Sequence, residues 1–199
     1  MSKVLILFAH PRLEKSRTNR FLLDHIPAME GITLRDLYEL YPDFNIDIAA
    51  EKALLLEHDL IVWHHPFYWY SAPPLLKQWI DLVLEFGWAY GPGGNQLYGK
   101  YIFNAISTGG AAEAYTAAGR NRYTIREYLR PFEQTAHLCQ MVYLPPFLIQ
   151  GTHRQTTESL EQHAWQYYYL LTTIAQGQYP LQKMLELSTL NELMSLATS

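Results

Sequence analysis

The sequence is poor in several features, and each shortage excludes a class of protein. A single cysteine, Cys139, excludes an internal disulfide and favours a reducing cytoplasm. The formal net charge is only −4, which does not indicate the basic surface of a nucleic-acid-binding protein. No apolar run reaches the roughly 20 residues of a membrane-spanning helix, and no signal peptide follows Met1. We therefore expect a cytoplasmic protein without a nucleic-acid partner.

The first loop of the chain has no glycine. A buried strand over residues 3–8 is followed by Ala9, His10 and Pro11, and Ser16, Thr18 and Asn19 then lie just before an apolar-periodic segment. The dinucleotide motif G-x-G-x-x-G and the phosphate loop ending in Gly-Lys-Ser/Thr are both missing. A helix start still attracts anions, because its first N–H groups are unpaired. The segment indicates either a phosphate site of the flavodoxin kind or an ordinary helix cap.

Strand and helix patterns alternate along the chain. Strands are predicted at residues 3–8, 33–37, 59–64, 101–107 and 141–149, and helices at 18–29, 49–57, 75–86, 122–139 and 157–175. Pro131 should kink or split the helix that contains it. The alternation predicts an α/β fold: a flavodoxin-like, doubly wound, five-stranded parallel sheet of order 2-1-3-4-5 with helices on both faces. Residues 178–199 form a C-terminal tail with helical apolar spacing, which should pack on the body or on a partner chain.

Three loops of this fold should meet at one crevice, because they follow strands one, three and four. The first offers hydroxyl and amide groups, the second an aromatic run and the third hydroxyls with two glycines. Together they indicate a phosphorylated planar ligand such as FMN, with FAD as the alternative. Taken singly, an aromatic run is more often core and Ser-Thr-Gly-Gly a turn. No metal site is predicted, since the histidines lack ligand spacing. The candidate cofactor-binding residues are His10, Ser16, Arg17, Thr18, Asn19, Phe67, Tyr68, Trp69, Tyr70, Ser107, Thr108, Gly109 and Gly110.

Several longer segments carry a family resemblance. They read AHP with SRTN, LYELYPDFNIDIAAE, HPFYWYSAPPLLKQWIDLVLEFGWAYGPGGNQLYGK, ISTGG, and LRPFE followed by YLPPF. In these segments the chain resembles the flavin-dependent NAD(P)H:quinone reductases of the DT-diaphorase superfamily. It is more closely similar to the ancillary quinone reductases of bacterial Kef potassium-efflux systems. The similarity extends over residues 3–175.

This resemblance implies an FMN-dependent NAD(P)H:quinone oxidoreductase, a homodimer whose flavin-binding domain spans residues 1–177. Hydride would pass from NAD(P)H through flavin N5 to a quinone, in a two-electron ping-pong reaction. His10 and residues 16–19 would surround the phosphate and ribityl chain, residues 67–70 would line the ring, and residues 107–110 would face its N1–O2 edge. Backbone N–H groups of Trp69 and Tyr70 would reach the N5–O4 edge. Tyr115 matches the catalytic tyrosine of the family, but Asn121 stands where a histidine is expected.

A second function remains open on the same residues. The chain could be a regulatory ancillary subunit of a glutathione-gated potassium-efflux antiporter, with weak redox turnover, held at the cytoplasmic face of the inner membrane. The missing histidine favours this alternative, and the intact flavin loops favour the enzyme. Four arginines, 120, 122, 126 and 130, form either a solvated helix face or a contact to an acidic partner or to the 2′-phosphate of NADPH.

Overall fold

A parallel sheet forms the centre of the protein. The structure is a computed structural model that describes residues 2–26, 28, 30–178 and 180–196. Its strands are β1 Val4–Phe8, β2 Ile32–Asp36, β3 Leu60–Pro66, β4 Tyr101–Ser107, β5 Val142–Tyr143 and β6 Phe147–Ile149. They pair in the order β2-β1-β3-β4-β5, with β6 also beside β4, and every pairing is parallel. The predicted order is therefore confirmed.

The predicted fifth strand, residues 141–149, is wrong as a continuous element. It consists of β5 and β6, which are separated by Leu144, Pro145 and Pro146. A proline has no N–H to donate to a sheet ladder, so two successive prolines interrupt the pairing. Both pieces still pair with β4, because the chain rejoins the same edge after the interruption.

Helices flank the sheet on both faces, as predicted. The predicted helix 122–139 is divided at Leu129, and Pro131 lies in the first turn of the second piece, where its missing N–H costs nothing. The predicted helix 18–29 ends at Asp24, and residues 27 and 29 lie outside the described residues. The helices are α1 Arg17–Asp24, α2 Leu37–Leu40, α3 Ile48–Glu57, α4 Pro74–Val83, α5 Ile125–Tyr128, α6 Arg130–Leu138, α7 Thr157–Ala175, α8 Leu181–Met184 and α9 Leu193–Leu196.

Alternate residues of each central strand supply two separate cores. Leu5 and Trp63 face a core completed by α3, α4, α5 and α6. Ile6, Val62 and Phe103 face the opposite core, which α1, α7 and the tail complete. Since both faces of β1 and β3 are covered, their side chains are buried without a polar alternation.

The tail consists of short turns where one helix was predicted. After α8 the chain forms a 3-10 turn, Leu190–Glu192, and then α9; residues 179 and 197–199 lie outside the described part. Met184, Leu187, Leu190 and Leu193 are buried in the second core. Asn191 binds the backbone of β6 with both ends of its amide: its oxygen accepts from the Leu148 N–H at 2.8 Å, and its nitrogen donates to the Leu148 carbonyl at 3.0 Å.

Candidate functional site

A cleft of about 400 Å3 opens at the carboxyl ends of β1, β3 and β4. The loops after all three strands contribute to it, as the sequence predicted for this fold. Nine of the predicted cofactor-binding residues line it: His10, Ser16, Arg17, Thr18, Asn19, Phe67, Tyr68, Ser107 and Gly109. Five further residues complete the lining: Arg12, Lys15, Pro66, Thr152 and His153.

Hydrogen bonds within the chain fix the polar end of the cleft. Ser16 is the N-cap of α1, and its hydroxyl accepts from the Asn19 backbone at 3.3 Å and from the Asn19 side chain at 2.8 Å. The buried Asn19 amide also donates to the Ser107 hydroxyl at 3.0 Å, which joins α1 to the end of β4. The backbone N–H groups of Arg17 and Thr18 have no acceptor among the described residues. Two free donors therefore remain at the positive end of a helix dipole.

His10 forms one wall of this polar end. Its Nδ1 accepts the Arg12 backbone N–H at 3.1 Å, so the proton of the neutral ring lies on Nε2. Burial lowers the pKa of His10, although the nearby Glu14 carboxylate opposes that effect. At neutral pH this imidazole is therefore an uncharged hydrogen-bond donor.

Basic side chains surround the polar end, and two of them, Arg12 beside Glu14 at 3.8 Å and Arg17, have partners within the chain. The Arg17 guanidinium donates to the Gln155 carbonyl at 2.9 Å and to the Thr157 hydroxyl at 2.8 Å. These bonds link the start of α1 to the loop before α7. Arg12 and Lys15 line the same cleft, so its electrostatic field favours an anion.

An aromatic loop, residues 67–70, forms the other end. Phe67 is buried and packs against Tyr70 and Tyr115, with ring centroids 6.3 and 6.0 Å apart. Trp69 and Tyr70 have φ angles of 49° and 65°, a left-handed conformation that is strained for residues with bulky side chains. Their backbone N–H groups have no acceptor among the described residues. Trp69 does not line the cleft: its side chain is 92% exposed.

The glycine-containing loop after β4 is tied to the loop after β6. Thr108 donates its N–H to the Ile149 carbonyl at 2.8 Å, and Thr152 donates to the Thr108 carbonyl at 3.0 Å. The Thr108 hydroxyl donates to the Gly110 carbonyl at 2.7 Å, so Thr108 helps to fix the conformation of the loop. The N–H groups of Gly109 and Gly110 have no acceptor in the described part of the chain.

Thr152 and His153 belong to the site but were not among the predicted residues. They lie in a 3-10 turn, Thr152–Arg154, which begins after Gly151 in a left-handed conformation. A Cβ at Gly109 would lie 2.9 Å from His153 Nε2, so the absence of a side chain there lets the His153 ring approach the glycine loop closely. In the sequence, the segment Gly-Thr-His after the predicted fifth strand is the feature that could have indicated these two residues.

Tyr115 lies beside the glycine loop, and a Cβ at Gly110 would lie 3.0 Å from its ring. Burial raises the pKa of Tyr115, while a hydrogen bond to Thr108 and the positive charge of Arg120 oppose the rise. Its hydroxyl is therefore a proton donor at neutral pH. Asn121 lies nearby but contacts other tyrosines: its side-chain oxygen accepts from Tyr70 at 3.5 Å, and its carbonyl accepts from Tyr128 at 2.7 Å.

Two buried histidines, His64 and His65, lie at the end of β3, where the strand leads into the aromatic loop. As expected for adjacent strand residues, they face opposite sides of the sheet: His64 contacts Tyr167 and His65 contacts Phe132. Burial lowers the pKa of His64 to about 3 and of His65 to about 4. Neutral His65 bonds the Pro66 carbonyl at 3.0 Å, at the point where the strand turns into the loop.

Comparisons with known proteins agree with this geometry. Residues 2–170 match a protein family described by its flavodoxin-like fold. The glutathione-regulated potassium-efflux system ancillary protein KefG of Salmonella typhimurium is 47% identical over 179 residues, covering 89% of this chain and 98% of that protein. The chain belongs to the flavodoxin-like NAD(P)H quinone reductase family.

Two solved structures extend the comparison. General stress protein 14 of Treponema denticola, solved in complex with FMN, is 40% identical with a TM-score of 0.82, covering 86% of this chain and 99% of that one. A structure described as NADPH-quinone reductase from P. pentosaceus is 33% identical with a TM-score of 0.77, covering 84% and 96%. In this chain, no helix within the described residues is long and apolar enough to cross a membrane.

Proposed function

We propose that this protein is an FMN-dependent NAD(P)H:quinone oxidoreductase. The observation that carries the proposal is one cleft with free helix-start donors at one end and an aromatic wall at the other. A cleft with these two ends suits a ligand that carries a phosphate and a planar ring. The FMN in the T. denticola relative and the quinone reductase activity named for the P. pentosaceus relative support the assignment.

The donors in the cleft match the chemistry of FMN. Its phosphate would accept from the free Arg17 and Thr18 N–H groups, with the Ser16 hydroxyl beside them and His10 towards the ribityl chain. Tyr68 and Phe67 offer apolar surface to the ring. Gly109 and Gly110 leave room that a larger residue would fill, since a Cβ would press on His153 or Tyr115. FAD would need further space for its adenosine part. The mass of the cofactor released on denaturation distinguishes FMN from FAD.

FMN, when bound, would supply the hydride chemistry of a two-electron ping-pong transfer from NAD(P)H to a quinone. The chain provides binding, orientation and charge stabilisation. The free N–H groups of Trp69 and Tyr70 would donate to one edge of the bound ring, and those of Gly109 and Gly110 would stabilise negative charge on another edge. In this proposal, the left-handed backbone conformation of Trp69 and Tyr70 keeps their N–H groups available to a ligand.

Tyr115 is the proposed catalytic residue. Its raised pKa keeps the hydroxyl protonated, so it can donate to the reduced ring edge near Gly110. Asn121 cannot exchange a proton near neutral pH as a histidine can. We therefore expect modest turnover, limited by the reduction of the flavin.

Purification followed by denaturation tests the cofactor directly. The expected result is release of a yellow compound whose mass equals that of FMN. In a separate sample of the native protein, stopped-flow mixing with NAD(P)H should bleach the flavin absorbance, and a quinone should restore it. If the purified protein contains no flavin and does not take up added FMN, the proposal is wrong; recovery of FAD overturns only the choice of cofactor.

The exposed aromatic side chains support a homodimer. Trp69 is 92% and Phe86 68% exposed, and aromatic residues are enriched in the buried centres of interfaces. In this proposal the partner subunit covers the aromatic loop and completes the ring end of the cleft. Light scattering at micromolar concentration should give the mass of a dimer, and a flavin-containing monomer would contradict it.

The KefG relatives support a second, compatible role. At 47% identity over 98% of that protein, the likeness favours an ancillary subunit of a potassium-efflux antiporter, peripheral to the inner membrane through that partner. The test is potassium efflux in cells that express the antiporter with the wild-type chain or with Tyr115→Phe. Equal stimulation by both chains assigns regulation independently of turnover. No stimulation by the wild-type chain refutes the ancillary role and leaves the enzyme proposal intact.

A further inference from the structure

We propose that Arg120 and Arg154 bind the 2′-phosphate of NADPH, and that the protein therefore prefers NADPH to NADH. This inference rests on the proposed function and specifies its electron donor. It starts from a second cleft of about 700 Å3, which lies beside the first and shares Gly109 and His153 with it. A molecule that reaches the proposed flavin site at one end can thus occupy this second cleft with its other end.

The second cleft has an excess of positive charge. Arg120 and Arg154 line it together with a single carboxylate, that of Glu113. Neither guanidinium forms an ion pair or a hydrogen bond with another described residue, in contrast to Arg17 and to Arg130, which is paired with Glu133 at 2.8 Å. Both arginines are exposed and free to bind a ligand. Of the four arginines in the sequence cluster 120–130, Arg120 alone lines this cleft within the described part of the chain.

The backbone around both arginines is held in place. The Arg154 N–H donates to the Gly151 carbonyl at 2.8 Å, in a turn that is bonded to the glycine loop. Arg120 follows Gly119, where a Cβ would collide with the carbonyl oxygens of Glu113 and Ala114. The Asn121 N–H then closes this loop on the Ala114 carbonyl at 2.9 Å. Two fixed loops therefore present their guanidinium groups to one cavity.

A phosphate monoester is the anion that suits such a pair. Its dianion can accept two hydrogen bonds from each planar guanidinium, and charge-assisted bonds of this kind are about twice as strong as neutral ones. NADPH carries this group on its adenosine ribose, and NADH has a hydroxyl there. The Arg120 charge also acts on the nearby Tyr115 hydroxyl, which links the second cleft to the reacting end of the first.

Calorimetry with adenosine 2′,5′-bisphosphate and with 5′-AMP tests the site without any turnover. The first compound should bind at least about tenfold more tightly to the flavin-loaded protein, and Arg120→Ala and Arg154→Ala should each remove that difference. Arg126→Ala, an exposed arginine on α5 outside the cleft, is the matched control and should change nothing. Equal binding of the two compounds to the wild type overturns the proposal.

Steady-state kinetics gives the second readout. Each alanine variant should raise KM for NADPH about tenfold and leave KM for NADH within twofold, while Arg120→Lys should retain part of the preference. A rise in both KM values, or a rise only in the KM of an anionic quinone, contradicts recognition of the 2′-phosphate. Tight binding of the bisphosphate without turnover on either coenzyme refutes the proposed function and supports the phosphate site.

Discussion

The two loops at the ends of the proposed flavin cleft are held in different ways. The loop before α1 is cross-linked by polar bonds: Asn19 joins Ser16 to Ser107 in the buried part of the chain. The aromatic loop is held by ring contacts around Phe67 and by the histidine beneath it, and its tip carries a Trp69 side chain that is 92% exposed. The polar end is therefore complete within one chain. The ring end has strained backbone and uncovered apolar surface, so it should need a ligand or a second subunit for completion.

The largest expected effect concerns the two buried histidines at the end of β3, of which His65 contacts the start of the aromatic loop. The unfolded chain protonates them near pH 6.5, but the folded chain does not until about pH 3 to 4. The folded state thus binds fewer protons, and stability is lost as pH falls below 6.5. From pH 7 to pH 5 the two histidines should remove about 4 kcal/mol from the free energy of unfolding.

Urea unfolding at pH 7, 6 and 5 measures this loss. His65→Asn should reduce this loss by about 2 kcal/mol, the share of one histidine. His137→Gln, which changes an exposed histidine on α6, is the matched control and should leave the pH dependence unaltered. If His65→Asn retains the full wild-type dependence on pH, the buried neutral state of His65 is refuted.

At the polar end, Asn19→Asp places a carboxylate beside the proposed phosphate site with almost no change in volume. The dissociation constant of FMN should rise about a hundredfold, because a buried anion opposes a second anion and the donated bond to Ser107 is lost. Fluorescence titration of the apo-protein gives this constant. Asn45→Asp makes the same change on an exposed loop and should have little effect; equal weakening by both variants would mean that net charge alone is responsible.

At the ring end, Trp69→Ser should weaken the dimer about thirtyfold, in the range expected when a central aromatic residue is removed from an interface. Trp165→Ser is the matched control, since Trp165 is 60% exposed on α7, on the other side of the sheet from Phe67. Analytical ultracentrifugation over a range of concentrations compares them. Loss of the dimer in the Trp165 variant and not in the Trp69 variant would move the interface to α7.

Tyr115→Phe should slow flavin reduction about tenfold while FMN affinity stays constant, because the variant loses a proton donor but keeps the ring that packs on Phe67. Tyr123→Phe, in the same aromatic cluster, should change the rate by less than twofold. Stopped-flow absorbance provides both rates. A Tyr115 variant as fast as the wild type would make this tyrosine a packing residue.

The smallest expected effect is a gain. Asn121→His should raise the rate of flavin reduction about threefold, since an imidazole can return a proton that an amide cannot. The gain should disappear in the double variant with Tyr115→Phe. Stopped-flow rates for the two variants give the answer, and an Asn121→His rate below that of the wild type would show that the contacts of Asn121 with Tyr70 and Tyr128 matter more than proton exchange.

The strands of the sheet are well predicted from the sequence where burial is continuous. β1 and β4 fall within one residue of their predicted bounds, because both faces of these strands are covered and their apolar runs have no competing pattern. The fifth strand and the helix at residues 122–139 each contain prolines, and both are divided. The sequence shows that a proline interrupts an element, but which bond it removes depends on the neighbouring strand or turn.

Some residues of the candidate site could be predicted from the sequence, and others could not. The hydroxyl and amide groups of residues 16–19 were found because a helix start has a recognisable pattern. Thr152 and His153 were missed, since their place in the cleft depends on hydrogen bonds between two loops that are far apart in the sequence. The exposure of Trp69 also depends on tertiary structure: nothing in an aromatic run says which ring points outward. The assignment of these residues to a cofactor stays a prediction.

The amide of Asn191 has a consequence for the behaviour of the protein at high concentration. An outer strand with free N–H and carbonyl groups is a template on which another chain can add a strand, and this is a common route to aggregation. Here the Asn191 side chain forms hydrogen bonds with both the N–H and the carbonyl of Leu148. The Leu190 N–H donates to the Pro146 carbonyl, and the prolines at 145 and 146 have no N–H to donate. The C-terminal tail therefore protects the β6 edge of the sheet from pairing with a strand of another chain.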